Sequence, residues 1–232
     1  MKKVCFSVLL WVSAGVLGFG QTNFSKGEEL FMQNKPAEAA VFLENSINED
    51  PGEVKAFLYL GIVYEQTGKT DEAIAVYRQV LANAGDLTAN VANNLGNAYF
   101  KKGSVSDAES MYTKAIEADG AYASAYLGRA NARVKRGLMR DAVTDYEQYL
   151  LLEPRSPQRP AIDRLVSFVK AEFAEAERKR LVAEEAARAE AERRQRLLDE
   201  VSASLQSAAG ASQGLSTGAE DVEGYEGEFE LQ

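Results

Sequence analysis

Histidine is absent from this 232-residue sequence, and cysteine and tryptophan occur once each, as Cys5 and Trp11. Residues 21–232 therefore contain no thiol, imidazole or indole. These absences exclude disulfide bonds, thiol nucleophiles, Ser-His-Asp catalysis and the usual zinc sites from that part of the chain. The phosphate-binding loops GxxxxGK[ST] and GxGxxG are also missing. We expect a non-enzymatic protein without cofactor or metal, and only a carboxylate-based active site is left open.

Basic residues are fewer than acidic ones, 26 against 35, and the net charge is −9. Removal of the first 20 residues would take away Lys2 and Lys3 and lower the net charge to −11. Nucleic-acid binding requires a basic surface, so we expect no nucleic-acid partner.

The one long apolar run follows MKK at the N-terminus, in VCFSVLLWVSAGVLGFG. This pattern is typical of a bacterial secretory signal peptide, residues 1–20, cleaved before Gln21. It predicts an exported, periplasmic protein. The alternative is an uncleaved inner-membrane anchor formed by residues 4–19, although a spanning helix needs about 20 apolar residues. We expect contact with a membrane only under that alternative.

A repeat of 34 or 35 residues occupies the middle of the chain. Its markers are four alanines, each followed four residues later by a large side chain: Ala39 and Leu43, Ala73 and Tyr77, Ala108 and Tyr112, Ala142 and Tyr146. A small residue lies twelve positions before each alanine, and the midpoints are Asn34, Gly68, Gly103 and Gly137. Apolar residues recur at i, i+3 and i+4 on both sides of each midpoint, which predicts two amphipathic helices per repeat. A single pair cannot bury its apolar face, but stacked pairs can.

The repeat resembles the tetratricopeptide repeat family in its length and in the L-G-x-x-Y and A-x-x-x-F pattern. YLGIVYEQTGKTDEAIAVYRQVL and NLGNAYFKKGSVSDAESMYTKAI carry that pattern, whereas the fourth unit has Arg133 at the aromatic position. The resemblance implies an all-α, right-handed superhelical solenoid of four helix-turn-helix repeats within residues 21–154. The expected repeats are 20–53, 54–87, 89–122 and 123–156.

Three segments are predicted after the repeats. Residues 157–170, with Ile162 and Val166 on one face, are expected to form a capping helix. Residues 171–207 are rich in Ala, Glu and Arg and predict a long charged helix, either solvated along its length or contacting a partner helix over a short stretch. Residues 208–232 are predicted to be a disordered acidic tail, serving either as a partner motif or as a solubilising end.

In the tetratricopeptide family, the first helices line a concave groove that often receives an extended peptide. The resemblance assigns these residues to the groove: Lys55, Ile62, Asn90, Asn93, Asn97, Phe100, Lys101, Asn131 and Lys135, with Phe24 and Phe31 in the first repeat. Asn94 is placed at the edge. We expect Asn93, Asn97 and Asn131 to form an amide ladder that pairs with a backbone, because an amide both donates and accepts. The alternative is a wet polar surface without a ligand.

These features predict a protein-interaction scaffold of the bacterial cell envelope that binds an extended segment of a protein or peptide partner in the groove. The alternative is a structural adaptor that acts through the charged helix and the acidic tail, with the tail occupying its own groove.

Overall fold

The computed structural model describes residues 21–218, with side chains described to residue 210. The predicted signal peptide or anchor, residues 1–20, and residues 219–232 of the acidic tail lie outside this range. The described residues form nine α-helices and one 3₁₀ turn, without β-strands, so the all-α prediction is confirmed. The helices are α1 Asn23–Met32, α2 Pro36–Glu49, α3 Val54–Gln66, α4 Thr70–Leu81, α5 Thr88–Lys102, α6 Val105–Ala118, α7 Ala123–Lys135, α8 Met139–Leu152 and α9 Arg159–Gly218.

The first eight helices form four consecutive pairs. Each helix packs against the next along the chain, from α1 to α8, and the first helices of neighbouring repeats also touch. This is the stacking that the alanine spacing predicts, because each pair buries its apolar face against the pair beside it.

The turn inside each pair depends on one residue in the left-handed region. Asn34, Gly68, Gly103 and Gly137 have φ angles of 57°, 79°, 89° and 76°. Glycine reaches this conformation without steric cost, and asparagine tolerates it better than most residues. The prediction that these four positions end the first helix and permit the turn is confirmed.

The longer spacing between the second and third repeats coincides with a 3₁₀ turn, Gly85–Leu87. The Thr88 hydroxyl donates a hydrogen bond to the Gly85 carbonyl at 2.7 Å and closes the turn. The additional residue is therefore accommodated between helices and leaves the helix pairs unchanged.

The repeat alanines and tyrosines form the core. Ala73 and Ala108 are fully buried, and Tyr77 and Tyr112 are at most 2% exposed. A Cβ atom added to Gly61 would lie 2.2 Å from the Tyr77 ring. Gly61 and Gly96 are thus needed because a tyrosine of the second helix packs directly on their backbone, and Leu43 packs in the same way on Gly27.

Gly128 has a similar role that the repeat pattern did not reveal. A Cβ atom on Gly128 would lie 2.4 Å from Tyr112, and one on Gly96 would lie 2.8 Å from the same ring. The Tyr112 ring therefore lies between a glycine of its own repeat and a glycine of the next repeat.

The start of α9 covers the last repeat. Ile162, Val166 and Val169 are each at most 9% exposed, as expected of a capping helix. Arg159, at the start of α9, fixes the loop between α8 and α9. Its guanidinium donates to the carbonyl oxygens of Leu150 and Pro154 at 2.6 and 2.9 Å.

Residues 170–218 form a second unit and continue the same helix. The sequence pattern separated a capping helix from a charged helix and ended the latter at Ser207, whereas the helix runs unbroken to Gly218. Its interior lacks proline, and the alanines beyond Ser207 favour helix. Short-range ion pairs such as Glu175–Arg178 at 2.8 Å and Glu177–Arg180 at 2.6 Å support it. Within residues 21–218, none of the helices combines the length and apolarity needed to cross a membrane.

Replacing Gly61 by alanine should destabilise the repeats, because its Cβ would overlap the Tyr77 ring. We expect a loss of about 1–3 kcal/mol in the free energy of unfolding, measured by urea denaturation. Gly120→Ala is the matched control, since no atom lies within 4 Å of its Cβ position. It should change stability by less than about 0.5 kcal/mol. Equal unfolding midpoints for the two variants would contradict the packing described here.

Candidate functional site

The first helices of neighbouring repeats form a continuous surface, because α1 contacts α3, α3 contacts α5 and α5 contacts α7. Two depressions open on it. The first, of about 420 Å³, lies between α3 and α5 and is lined by Ile62, Glu65, Gln66, Asn94, Asn97 and Lys101. The second, of about 320 Å³, lies where α7 meets α9 and is lined by Leu127, Asn131, Tyr146, Gln158, Ala161, Ile162 and Leu165. We call this surface, with both depressions, the first-helix groove.

Hydrogen bonds from core tyrosines orient two asparagines of the groove. The Tyr112 hydroxyl donates to Asn97 Oδ1 at 2.9 Å, and the Tyr146 hydroxyl donates to Asn131 Oδ1 at 2.7 Å. Both asparagines are exposed, and neither Nδ2 group donates a hydrogen bond to another described residue. Each amide oxygen thus accepts one hydrogen bond from a core tyrosine, and the amide NH₂ groups remain as donors. Because an amide oxygen has a second lone pair, amides that both donate and accept towards a ligand stay a prediction.

The second repeat uses a carboxylate instead. Ile62 is at the asparagine position, and the Tyr77 hydroxyl donates to Glu65 Oε1 at 2.8 Å. Burial raises the pKa of Glu65, and this effect outweighs the opposite influence of the Tyr77 hydrogen bond and the Lys101 charge. The first depression therefore contains a carboxyl group that binds its proton more tightly than a solvated glutamate.

The asparagine cluster of α5 divides between core and groove. Asn93 was predicted to face the groove but is only 5% exposed, and its Oδ1 has no hydrogen-bond partner among the described residues. The equivalent Leu58 is also buried, in a cluster of second- and third-repeat residues, whereas the equivalent Leu127 lines the second depression. Asn94, predicted at the edge, lines the first depression instead. Asn90 donates to the Tyr122 hydroxyl at 3.3 Å and so contributes to packing between α5 and the turn before α7.

The predicted groove lysines have different environments. Lys101 Nζ donates to the Glu65 backbone carbonyl at 3.2 Å, and Lys135 Nζ lies 4.4 Å from the centroid of the Phe100 ring. Neither of these lysines pairs with a carboxylate among the described residues. Lys55 is exposed at the start of α3 and does not line either depression.

The α1 end of the groove is aromatic. Tyr59 stacks on Phe31 with ring centroids 5.0 Å apart and on Phe24 at 6.2 Å, and its hydroxyl donates to Glu28 at 3.2 Å. The sequence assigned Phe24 and Phe31 to the groove but did not identify Tyr59 as the ring between them.

Arg133, which replaces the repeat aromatic, belongs to an ion cluster that the sequence did not predict. Arg129 donates two hydrogen bonds to Asp145, at 2.7 and 3.0 Å, and Arg133 donates to Asp145 at 2.7 Å and to Glu109 at 3.0 Å. Arg136 also pairs with Glu109. Burial would raise the pKa of Glu109, but the hydrogen bonds from Arg133 and Arg136 outweigh it and lower that pKa. Asp145 is 2% exposed and belongs to the core, Arg129 and Arg133 are partly buried, and Arg136 is exposed.

The described residues contain no group of three or more carboxylates or other metal-binding side chains placed to hold a metal ion. The first-helix groove offers amide and ammonium donors, the carboxyl groups of Glu28 and Glu65, and apolar surface. These are groups that bind a polypeptide.

Two family models described as "Tetratricopeptide repeat" match residues 53–121 and 93–160. RNA polymerase II-associated protein 3 of Mus musculus is 36% identical over 111 residues, 48% of this chain and 17% of that protein. The probable UDP-N-acetylglucosamine--peptide N-acetylglucosaminyltransferase SPINDLY of Hordeum vulgare is 31% identical over 135 residues, 56% of this chain and 14% of that protein. The chain thus spans less than a fifth of the length of these curated relatives.

Two solved structures show the same fold at low sequence identity. A crystal structure of MamA protein aligns with a TM-score of 0.59 and 21% identity over 66% of this chain and 84% of that chain. The pilF protein of Pseudomonas aeruginosa aligns with a TM-score of 0.56 and 18% identity over 66% of this chain and 68% of that chain.

Replacing Asp145 by asparagine should be strongly destabilising, because it leaves the partly buried guanidinium groups of Arg129 and Arg133 without their shared counter-charge. We expect a loss of about 3–5 kcal/mol in the free energy of unfolding. The control is Asp71→Asn, which removes the exposed Asp71–Lys102 pair and should cost about 1 kcal/mol or less. Comparable losses in the two urea denaturation curves would show that the cluster contributes no more than a surface pair.

Glu65→Gln should change how stability depends on pH. Because the folded protein raises the Glu65 pKa, it binds this proton more tightly than the unfolded chain does, so ionisation at neutral pH lowers stability. The parent should therefore gain stability relative to Glu65→Gln as the pH falls from about 7 to about 5. Thermal unfolding at both pH values measures this difference. Glu117→Gln, on the exposed face of α6, is the charge-matched control, and a parallel pH response in both variants would contradict the expectation.

Proposed function

We propose that this chain, which belongs to the tetratricopeptide repeat family, is a non-enzymatic scaffold that binds an extended segment of a partner protein in the first-helix groove. The observation that carries the proposal is the orientation of Asn97 and Asn131. Each amide oxygen accepts a hydrogen bond from a core tyrosine, and neither NH₂ group has a hydrogen-bond partner among residues 21–210. Two fixed donors on neighbouring helices suit the carbonyl groups of a bound backbone.

The spacing of the helices suits an extended ligand. Packed helices lie about 8–10 Å apart, and three residues of a polyproline II segment rise about 9 Å. Asn97 and Asn131 would therefore meet carbonyl groups three residues apart. Such contacts hold a backbone in register without selecting its side chains, so affinity and selectivity come from different parts of the groove.

The test is Asn97→Asp/Asn131→Asp. Aspartate keeps an oxygen for each tyrosine hydroxyl and replaces the NH₂ donor by a second oxygen, so the core bond is retained and the ligand bond is lost. The matched control is Gln79→Glu/Asn83→Asp, which makes the same two charge changes at exposed positions outside the groove. A partner captured from envelope extract should be retained by the parent and the control and lost by the groove variant. If the parent, the control and the groove variant all retain the partner, the partner does not bind through these two groove amides.

For the setting of this function we propose the bacterial cell envelope, on the basis of the N-terminal sequence pattern. Fractionation of cells that produce the full chain, with N-terminal sequencing of the product, checks the proposal. A mature N-terminus at Gln21 in the periplasmic fraction is expected. Recovery of the intact chain with the inner membrane would favour the anchor, and recovery in the cytosol would contradict both.

A second candidate function rests on the charged helix. Leu198, Val201 and Leu205 occur at i, i+3 and i+7 and are 48–67% exposed, so this stretch offers a short apolar face to another helix. The substitutions Leu198→Gln/Val201→Gln leave the groove unchanged. If Leu198→Gln/Val201→Gln releases a partner that Asn97→Asp/Asn131→Asp retains, the function belongs to the charged helix.

A further inference from the structure

Along α5 and α7, three side chains of the first-helix groove follow one another at intervals of four residues. They are Asn93, Asn97 and Lys101 on α5, and Leu127, Asn131 and Lys135 on α7. Residues four apart lie on the same face of a helix, about one turn from each other. The groove therefore has a row of lysines and, beside it, a row of amides. In the third row Asn93 is buried and Leu127 lines the second depression.

The lysine row is suited to acidic side chains. Lys101 Nζ donates to the Glu65 backbone carbonyl, and Lys135 Nζ lies 4.4 Å from the centroid of the Phe100 ring. Both lysines are exposed, and neither pairs with a carboxylate within residues 21–210, although the chain carries nine more acidic than basic residues. A carboxylate from a ligand would therefore add an ion pair at each lysine without breaking an existing ion pair.

The other side of the amide row is apolar at its α7 end. Leu127, Ile162 and Leu165 help to line the depression of about 320 Å³ between α7 and the start of α9. Such walls favour an aliphatic or aromatic side chain, because its removal from water is favourable. On α5 the residue equivalent to Leu127 is the buried Asn93, so the apolar site lies beside Lys135 rather than beside Lys101.

The three rows specify a pattern in an extended ligand that crosses α5 and α7. Packed helices lie about 8–10 Å apart, and a polyproline II segment rises about 3 Å per residue with three residues per turn. Residues i and i+3 of such a segment therefore point the same way and are separated by about one helix. Two acidic residues at this spacing would meet Lys101 and Lys135. A residue next to the second acid points to the other side of the amide row, towards Leu127.

We propose that the partner segment of the first-helix groove is acidic on one side and apolar on the other. It has two acidic residues three positions apart, and a large apolar residue directly beside the acid that meets Lys135. The inference rests on the proposed function, since it adds selection of side chains to the backbone contacts of Asn97 and Asn131. The acids are side-chain carboxylates, so the segment can lie inside a longer chain.

Glu65 opposes an acid at the first of the two lysines. Its carboxyl group lines the same depression as Lys101, so a ligand carboxylate bound there faces a second acid. Replacing Glu65 by glutamine removes this charge and should tighten binding, an effect opposite in sign to that of removing the lysines. The two opposite effects together would locate a bound acid at Lys101.

The experiment measures binding of fluorescent, C-terminally amidated peptides to the full chain by anisotropy. The probes are two proline-rich octapeptides, one for each direction of the ligand. One has glutamates at its second and fifth positions and leucine at its sixth, and the other has glutamates at its fourth and seventh positions and leucine at its third. The tighter of the two serves as the ligand in all comparisons.

The lysine row is tested by Lys101→Gln/Lys135→Gln, which should weaken binding by about threefold to tenfold. The matched control is Lys35→Gln/Lys114→Gln, which removes two exposed lysines elsewhere and should leave binding unchanged. Glu65→Gln should strengthen binding. A peptide of the same composition, in which the glutamate remote from the leucine exchanges places with the proline on its inner side, has acids two positions apart and should bind more weakly.

The apolar site is tested by pairing a protein change with a peptide change. Leu127→Gln should weaken binding of the leucine peptide but not of the same peptide with alanine in place of leucine. Because the alanine peptide reads the lysine row of the same variant, its unchanged binding shows that Leu127→Gln is folded. Equal losses for the two peptides would contradict an apolar contact at this depression.

The inference is also overturned if neither octapeptide binds, if the two lysine variants bind alike, or if the peptide with acids two positions apart binds as well as the ligand. If any of these occurs while Asn97→Asp/Asn131→Asp still releases a captured partner, the groove keeps its proposed function with a ligand of different chemistry. If that variant also retains its partner, both proposals fail.

Discussion

The groove depends on the packing of a core tyrosine between the first helices of two neighbouring repeats. Tyr112 packs against Gly96 and Gly128, and its hydroxyl emerges at the groove to bond Asn97. Any side chain larger than glycine at either position would occupy the space of the ring. The packing of the repeats and the orientation of a groove amide are consequently one structural feature, and a substitution in the core would alter the chemistry of the surface.

The second repeat uses this arrangement differently from the third and fourth. In the third and fourth repeats the tyrosine hydroxyl bonds an amide and leaves two N–H donors, whereas in the second it bonds Glu65. Partial burial raises the pKa of Glu65, so the second repeat carries a titratable group where the third and fourth carry neutral donors. One backbone architecture thus provides different chemistry along the groove, and the difference comes from the side chain that the tyrosine meets.

The fourth repeat departs furthest from the repeat pattern and shows how a core can compensate. Arg133 occupies an aromatic position, and its guanidinium is satisfied by Asp145 and Glu109 from the two neighbouring helices. Such a cluster holds only when every member is present, because an isolated buried charge costs several kcal/mol. The sequence shows that Arg133 departs from the repeat pattern. It does not identify the partners of Arg133, because Asp145 and Glu109 lie 12 and 24 residues away and no local pattern links them to it.

The sequence by itself determined the helix pairs, the turns and the stacking, because these follow from short-range rules. Apolar residues that recur with a period of about 3.6 specify the helices. The turns are specified by four residues that adopt positive φ angles: Asn34, Gly68, Gly103 and Gly137. Tertiary structure alone decided which asparagines face the groove. Asn93 and Asn94 are adjacent and chemically identical, yet Asn93 is buried and Asn94 lines the first depression. Their burial depends on contacts between residues distant in sequence, which no local spacing encodes.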